Sequence, residues 1–106
     1  MAENLGNARR KARSPIVVQV IWTRRAAADV VAIRSYIGQF NPLAAQRMAL
    51  RLIAAGESLA IYPERGRPAA GGRRELATVP PYLIRYRTRG ETLEIITVRH
   101  GARRPV

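Results

Sequence analysis

Apolar residues recur at every second position in two neighbouring runs near the end of the chain, residues 81–87 (Pro-Tyr-Leu-Ile-Arg-Tyr-Arg) and 92–100 (Thr-Leu-Glu-Ile-Ile-Thr-Val-Arg-His). That alternation is the pattern of two half-buried strands, and the four residues between them, Thr88, Arg89, Gly90 and Glu91, are short enough to make a hairpin. A two-residue loop at Arg89-Gly90 predicts that Thr88 faces Glu91, and this fixes every later pair: Arg87 with Thr92, Arg85 with Glu94, Leu83 with Ile96. Val98 and His100 then share the side of Leu83, Arg85 and Arg87. The opposite side carries Tyr82, Ile84, Tyr86, Leu93 and Ile95, apolar enough to be the core face.

The earlier part of the chain changes period. Residues 16–22 are β-branched and alternate, with Val18, Val20 and Trp22 on one face, and form the first predicted strand. From Thr23, a plausible N-cap, Ala26, Val30, Ile33 and Ile37 recur at helical spacing as far as Gly38. Asp29 lies one turn beyond Arg25 and reads as structural before catalytic. Asn41-Pro42 is a strong second start signal, and this helix is expected to run to Ile61 because Pro63 ends it. Ala45, Met48, Leu52, Ala55 and Leu59 make one apolar stripe on it, and Leu50, Ile53 and Ile61 a second, so it is expected to touch both the first helix and a sheet. With only Gln39 and Phe40 before the cap, the helices form an antiparallel hairpin.

Residues 63–72 read as loop from their Pro and Gly content, and residues 73–77 as a short strand before Pro80-Pro81. The expected fold class is therefore α+β, in the order β-α-α-β-β-β. The last three strands form an antiparallel meander with the first strand beside them, and the helical hairpin packs on one face. Residues 16–106 form the domain, and residues 1–15 a disordered basic arm.

Composition adds a strong bias. Nineteen Lys and Arg against seven Asp and Glu leave a formal charge of +12, and Lys11 is the only lysine. Residues 63–106 hold ten arginines against Glu64, Glu75, Glu91 and Glu94, so the excess is concentrated there. Such a charge favours an acidic partner: nucleic acid, an anionic surface or an acidic polypeptide. With no cysteine and one histidine, neither a disulfide nor a metal site is expected, and no cofactor motif is present. No apolar run is long enough to span a membrane, and a cytoplasmic location is the simplest expectation.

Several segments together resemble a known group. They are Trp22-Thr23 with Ala26, Asp29, Ile33 and Tyr36-Ile37; Asn41-Pro42-Leu43-Ala44-Ala45; Leu59-Ala60 with Pro63-Glu64-Arg65-Gly66-Arg67; Arg74-Glu75-Leu76; Pro81-Tyr82-Leu83-Ile84-Arg85-Tyr86; and Val98-Arg99-His100-Gly101-Ala102-Arg103. In this order and spacing the chain resembles the RelE/ParE superfamily of bacterial type II toxin–antitoxin modules, and within it the ParE branch. The resemblance implies a small toxin neutralised by a cognate antitoxin whose C-terminal segment wraps it, with operator DNA reached only through the antitoxin. ParE-like members act on DNA gyrase, and RelE-like members cleave messenger RNA on the ribosome. A toxin decayed to a co-repressor is a further possibility.

The residues weigh unequally between these activities. Cleaving RNA requires moving a 2′-hydroxyl proton and stabilising an anionic phosphorane. Arg73, Arg74 and Arg85 can hold phosphate but are poor proton carriers, which leaves His100 as the natural one. The expected pairing of Arg85 with Glu94 would partly neutralise that cation. What the resemblance to the ParE branch implies, supported by this sparse proton-transfer inventory, is the leading expectation: inhibition of gyrase by binding, without a catalytic residue. The alternative is an endoribonuclease using Arg73, Arg74, Arg85 and His100. The expected antitoxin surface is Leu83, Arg85, Arg87, Ile96 and Val98, the face left open by the helices, and His100 and Arg103 are the expected target contacts.

Overall fold

The computed structural model describes residues 18–101; the predicted basic arm, the first residues of the predicted first strand and Arg103 lie outside them. The described chain runs β1 (Gln19–Trp22), α1 (Arg24–Gly38), α2 (Pro42–Glu57), a 3-10 turn (Ser58–Ala60), β2 (Arg67–Ala69), β3 (Arg73–Val79), β4 (Tyr82–Arg89) and β5 (Thr92–His100). These strands form one five-stranded sheet in the order β1-β5-β4-β3-β2. Only β1 is parallel to its neighbour, a consequence of the helical crossover that separates it from β5. The α+β class and the helical hairpin on one face are as the sequence implies.

The caps do what their residue types predict. The Thr23 hydroxyl accepts from the Ala26 amide and donates to the Ile96 carbonyl, both at 3.0 Å, tying the start of α1 to β5. Asn41 Oδ1 accepts from the Ala44 amide at 3.0 Å, with Pro42 in the first turn where its missing N–H costs nothing. The α-helix stops at Glu57 rather than reaching Ile61, its last turn tightening into the 3-10 segment. The first stripe of α2 enters the core through Ala45, Leu52 and Leu59, with Met48 and Ala55 packed against it. The second does not: Leu50, Ile53 and Ile61 are all exposed, a correction to the expectation that both stripes are covered.

Tyr86, Leu52, Leu59, Ile84, Leu93 and Ile95 are the largest fully buried side chains, so the core lies between the helices and the inner face of β3, β4 and β5. Val18 is buried, with Val20 and Trp22 packed against this core as the alternation requires. Residues 63–72, read as loop, contain β2, whose three residues pair with Arg73, Arg74 and Glu75 at the sheet edge. Its brevity and its proline suit an edge position and hide it from pattern.

The hairpin differs from expectation in a way that matters for function. Arg89 pairs with Thr92, so the two-residue loop is Gly90-Glu91 and not Arg89-Gly90. Gly90 stands at φ 60°, and among the described residues no residue type other than glycine has positive φ. Placing glycine at the first loop position, as in a type II′ turn, restricts the left-handed conformation to the one residue that bears it freely, whereas the expected loop would impose it on Arg89. Glu94 therefore faces Arg87, not Arg85. A bulge then intervenes: Tyr86 pairs with Ile95 but Arg85 with Thr97, leaving Ile96 as the extra residue. Beyond it the phase of β5 is reversed, so Leu83 faces Arg99 rather than Ile96, and Tyr82 faces His100.

Candidate functional site: an arginine-rich sheet face and an aromatic cleft

Among the described residues no helix covers the outer face of the sheet. Alternation along β3, β4 and β5 places Arg73, Glu75, Leu83, Arg85, Arg87 and Glu94 there. Arg67 pairs with Glu75 and joins them from β2, and Ile21 comes up beside Glu94 from β1. Arginines thus outnumber carboxylates on this face, and both carboxylates are engaged. Glu75 Oε2 accepts from Arg85 Nε at 3.1 Å and from Nη2 at 2.5 Å, and Arg99 Nη2 approaches the same oxygen to 3.6 Å. Glu94 Oε1 accepts from Arg87 Nε at 3.0 Å.

Glu75 is the organiser of this face. The hydrogen bonds from Arg85 hold its carboxyl below the ordinary carboxylate value, with the fields of Arg85, Arg99 and Arg67 acting in the same direction against the opposing effect of burial. Arg99 Nε is buried with no hydrogen-bond partner among the described residues, so this cation is held by charge more than by directed bonds. The Arg85–Glu94 pair expected from the sequence is replaced by Arg85–Glu75 and Arg87–Glu94 ion pairs. Arg-Arg-Glu at residues 73–75 carried the signal, since alternation puts Glu75 on the face opposite Arg74 and Leu76. The pairing with β4 selected Arg85 as its partner.

The bulge divides the predicted site residues between the two faces. Leu83, Arg85 and Arg87 are on the open face, and Ile96, unpaired at the bulge, is partly exposed. Val98 is not with them: it is 3% exposed in the core, a correction caused by the phase reversal. His100 likewise lies on the helix side, its ring edge-on to Tyr82 at 5.6 Å between centroids. Arg74 is also on the inner side, opposite Tyr86, with Nη1 donating to the Gly66 carbonyl at 2.7 Å. Arg73 and Arg85, by contrast, belong to the outer face. The four residues proposed for phosphate cleavage are therefore split across the sheet.

Tyr86 shows how tightly the loop before β2 is tied down. Its hydroxyl donates to the Pro63 carbonyl and accepts from the Gly66 amide, both at 2.8 Å, and burial pushes its pKa up. A Cβ on Gly66 would stand 2.8 Å from this ring and from the Glu75 carbonyl, so only glycine allows the approach.

β1 ends at Trp22, so beyond Ile95 β5 keeps β4 on one edge and has no strand on the other. Asp29 of α1 fills the gap: Oδ2 accepts from the Thr97 hydroxyl and the Val98 amide, both at 3.0 Å, and Oδ1 lies 3.5 Å from Arg25 Nε. Asp29 is thus structural, as its place in the sequence suggests. Next to it an open cleft of about 360 Å³ separates α1 from the end of β5, lined by Ile33, Tyr36, Tyr82 and His100 among others. Among the described residues no cluster of His, Asp or Glu is arranged to hold a metal ion, and no helix is long and apolar enough to cross a membrane.

Comparison with known proteins bears on this arrangement. The family model described as "ParE toxin of type II toxin-antitoxin system, parDE" matches residues 20–105. "Toxin RelE2" of Caulobacter vibrioides is 61% identical over 87 residues, covering 82% of this chain and 99% of that protein. "Putative toxin Y4kP" of Sinorhizobium fredii is 39% identical over 85 residues, covering 78% and 88% respectively. A solved structure titled "Chromosomal ParDE TA system from P. aeruginosa" matches with a TM-score of 0.73 at 25% identity, covering 79% of this chain and 96% of that one.

Proposed function

Starting from the fact that this chain belongs to the ParE toxin family of type II toxin–antitoxin systems, we propose that it arrests growth in the cytoplasm by binding DNA gyrase, and that its antitoxin covers the outer face of the sheet. One observation carries the preference for binding over catalysis: Arg74 and His100 lie on the helix side of the sheet and Arg73 and Arg85 on the other. A phosphodiester held by the outer arginines is out of reach of the imidazole, and Arg85 is already engaged by Glu75. The decisive test is a supercoiling assay with purified gyrase. Inhibition with accumulation of cleaved DNA is expected; full supercoiling activity at saturating toxin would reject this target.

The antitoxin reading rests on the mixed character of the outer face. Leu83, Ile96 and Ile21 offer apolar contact, and Arg67, Arg73, Arg85, Arg87 and Arg99 exceed Glu75 and Glu94 in charge, so an acidic segment with apolar anchors is matched twice over. Leu83→Ser combined with Ile96→Ser should weaken antitoxin binding at least tenfold while leaving the circular dichroism spectrum unchanged. Operator DNA is then reached through the antitoxin. The name of the relative Toxin RelE2 favours a second reading, messenger RNA cleavage on the ribosome. Incubation with ribosomes and a defined message separates the two, and intact message is the result expected here.

A further inference from the structure

Ion pairing divides the outer face of the sheet into two unlike halves. Toward the β3–β4 connection, Glu75 is surrounded by Arg67, Arg85 and Arg99, and Arg85 turns both Nε and Nη2 to it. Toward the β4–β5 loop the pairing is incomplete. The register that sets Arg74 opposite Tyr86, continued by one residue, brings Arg73 opposite Arg87 on the outer side. Glu94 takes only the Nε of Arg87, at 3.0 Å, and Arg73 has no ion pair among the described residues. The Arg73 guanidinium lies instead over the β2–β3 turn, where a Cβ on Gly71 would meet Nη1 at 2.6 Å.

Like charges directly opposite on an antiparallel pair are destabilising, and Glu94 offsets only the Arg87 side of this one. Both side chains are partly exposed on the open side of the sheet. Neighbouring strands lie about 5 Å apart, so the two oxygens of a single carboxylate can accept from both guanidiniums, and the contact that holds a partner also removes a repulsion within this chain. The rest of the row separates a polypeptide from a nucleic acid. Beyond Arg87 come Glu94 and, on β1, the 40% exposed Ile21. A nucleic-acid strand carries a charge at every phosphate and meets Glu94 unfavourably, whereas a polypeptide can set one carboxylate at the arginines and an apolar side chain at Ile21.

We infer that Arg73, together with Arg87, is where the outer face takes a carboxylate of the antitoxin, while Arg85 and Arg99, held by Glu75, shape the face without anchoring the partner. The inference rests on the reading of this face as the antitoxin's. It gives stability and affinity opposite signs at one residue. Arg73→Gln removes half of a like-charge pair and breaks no side-chain hydrogen bond or ion pair among the described residues, so the fold is kept.

The test measures melting temperature at low salt and the dissociation constant of the cognate antitoxin. Arg73→Gln should melt higher than wild type and bind antitoxin about tenfold more weakly; Arg85→Gln should melt lower and change affinity by less than about threefold. Neutralising the antitoxin's Asp and Glu residues one at a time should find one whose loss weakens binding about tenfold against wild type and less than about twofold against Arg73→Gln. Wild-type affinity in Arg73→Gln overturns the inference. If Leu83→Ser with Ile96→Ser still weakens binding, the antitoxin reading of the face stands and the anchor alone is wrong; unchanged affinity in both variants rejects that reading and the inference with it. Equal losses from Arg73→Gln and Arg85→Gln also overturn it, because the attraction is then diffuse charge. So does a decathymidylate oligonucleotide that binds wild type about tenfold more tightly than Arg73→Gln while antitoxin affinity is unmoved, which reassigns the arginines to phosphate.

Discussion

Glu75 decides more about the outer face than any other side chain, because it sits among Arg67, Arg85 and Arg99 and is only 12% exposed. Removing its charge leaves cations facing one another at the centre of the face, a change far more costly than loss of an exposed ion pair. Its folded pKa is depressed, so its contribution to stability is fully present above the unfolded value near 4.5 and is lost as pH falls through the folded value. Glu75→Gln should therefore be less stable than wild type at pH 7, with the gap closing as the pH is taken well below 4. Urea denaturation at a series of pH values checks this, and a gap independent of pH would show that the ion pairs contribute nothing. The need for an arginine-rich surface is legible in the sequence, but the identity of each pair is not, since Glu75 meets Arg85 only through the pairing of β3 with β4.

At the scale of the elements, both helix starts are legible because the signals are local: Thr23 and Asn41 each accept from an amide three residues on and Pro42 opens the second helix, while the first ends at Gly38 as expected and the second tightens after Glu57, short of the expected Ile61. The hairpin is half legible. Alternation finds the two strands and the inner face of β4, but a shift of one residue in the loop and one bulge in β5 re-pair every cross-strand neighbour. Gly90 carries the first of these. A Cβ there meets nothing within 4 Å, so the effect of Gly90→Ala is conformational alone, a loss of about 1 kcal/mol from forcing alanine to positive φ. Gly90→Asn should lose less, since asparagine tolerates that region better. Thermal melts of the two variants measure the difference, and equal stability of alanine and wild type would reject the assigned turn.

Across the whole molecule, two surfaces differ in charge and shape. The outer face of the sheet is cationic and partly apolar, while the corner at the end of α1 is aromatic, and the sheet stands between them. A net charge of +12 should accelerate encounter with an acidic antitoxin, an effect carried by long-range fields that salt screens. The association rate, followed by stopped flow, should fall roughly tenfold between low salt and about 0.5 M, with a much smaller change in the dissociation rate. A rate insensitive to salt would mean that apolar contacts govern the encounter.

The two helices, four of the five strands and their order, the helical hairpin on one face of a sheet and the excess of positive charge were determined by the chain alone, because each depends on neighbours within a few residues or on a simple count. Which arginine meets which carboxylate, the burial of Val98 and the turning of His100 toward Tyr82 were decided by tertiary structure. The physical reason is the period of two in a strand: one extra residue at Ile96 reverses every side chain beyond it. The bulge lies just where β1 ends and Asp29 takes over its hydrogen bonds, 68 residues away along the chain from Thr97, and no local pattern carries that information.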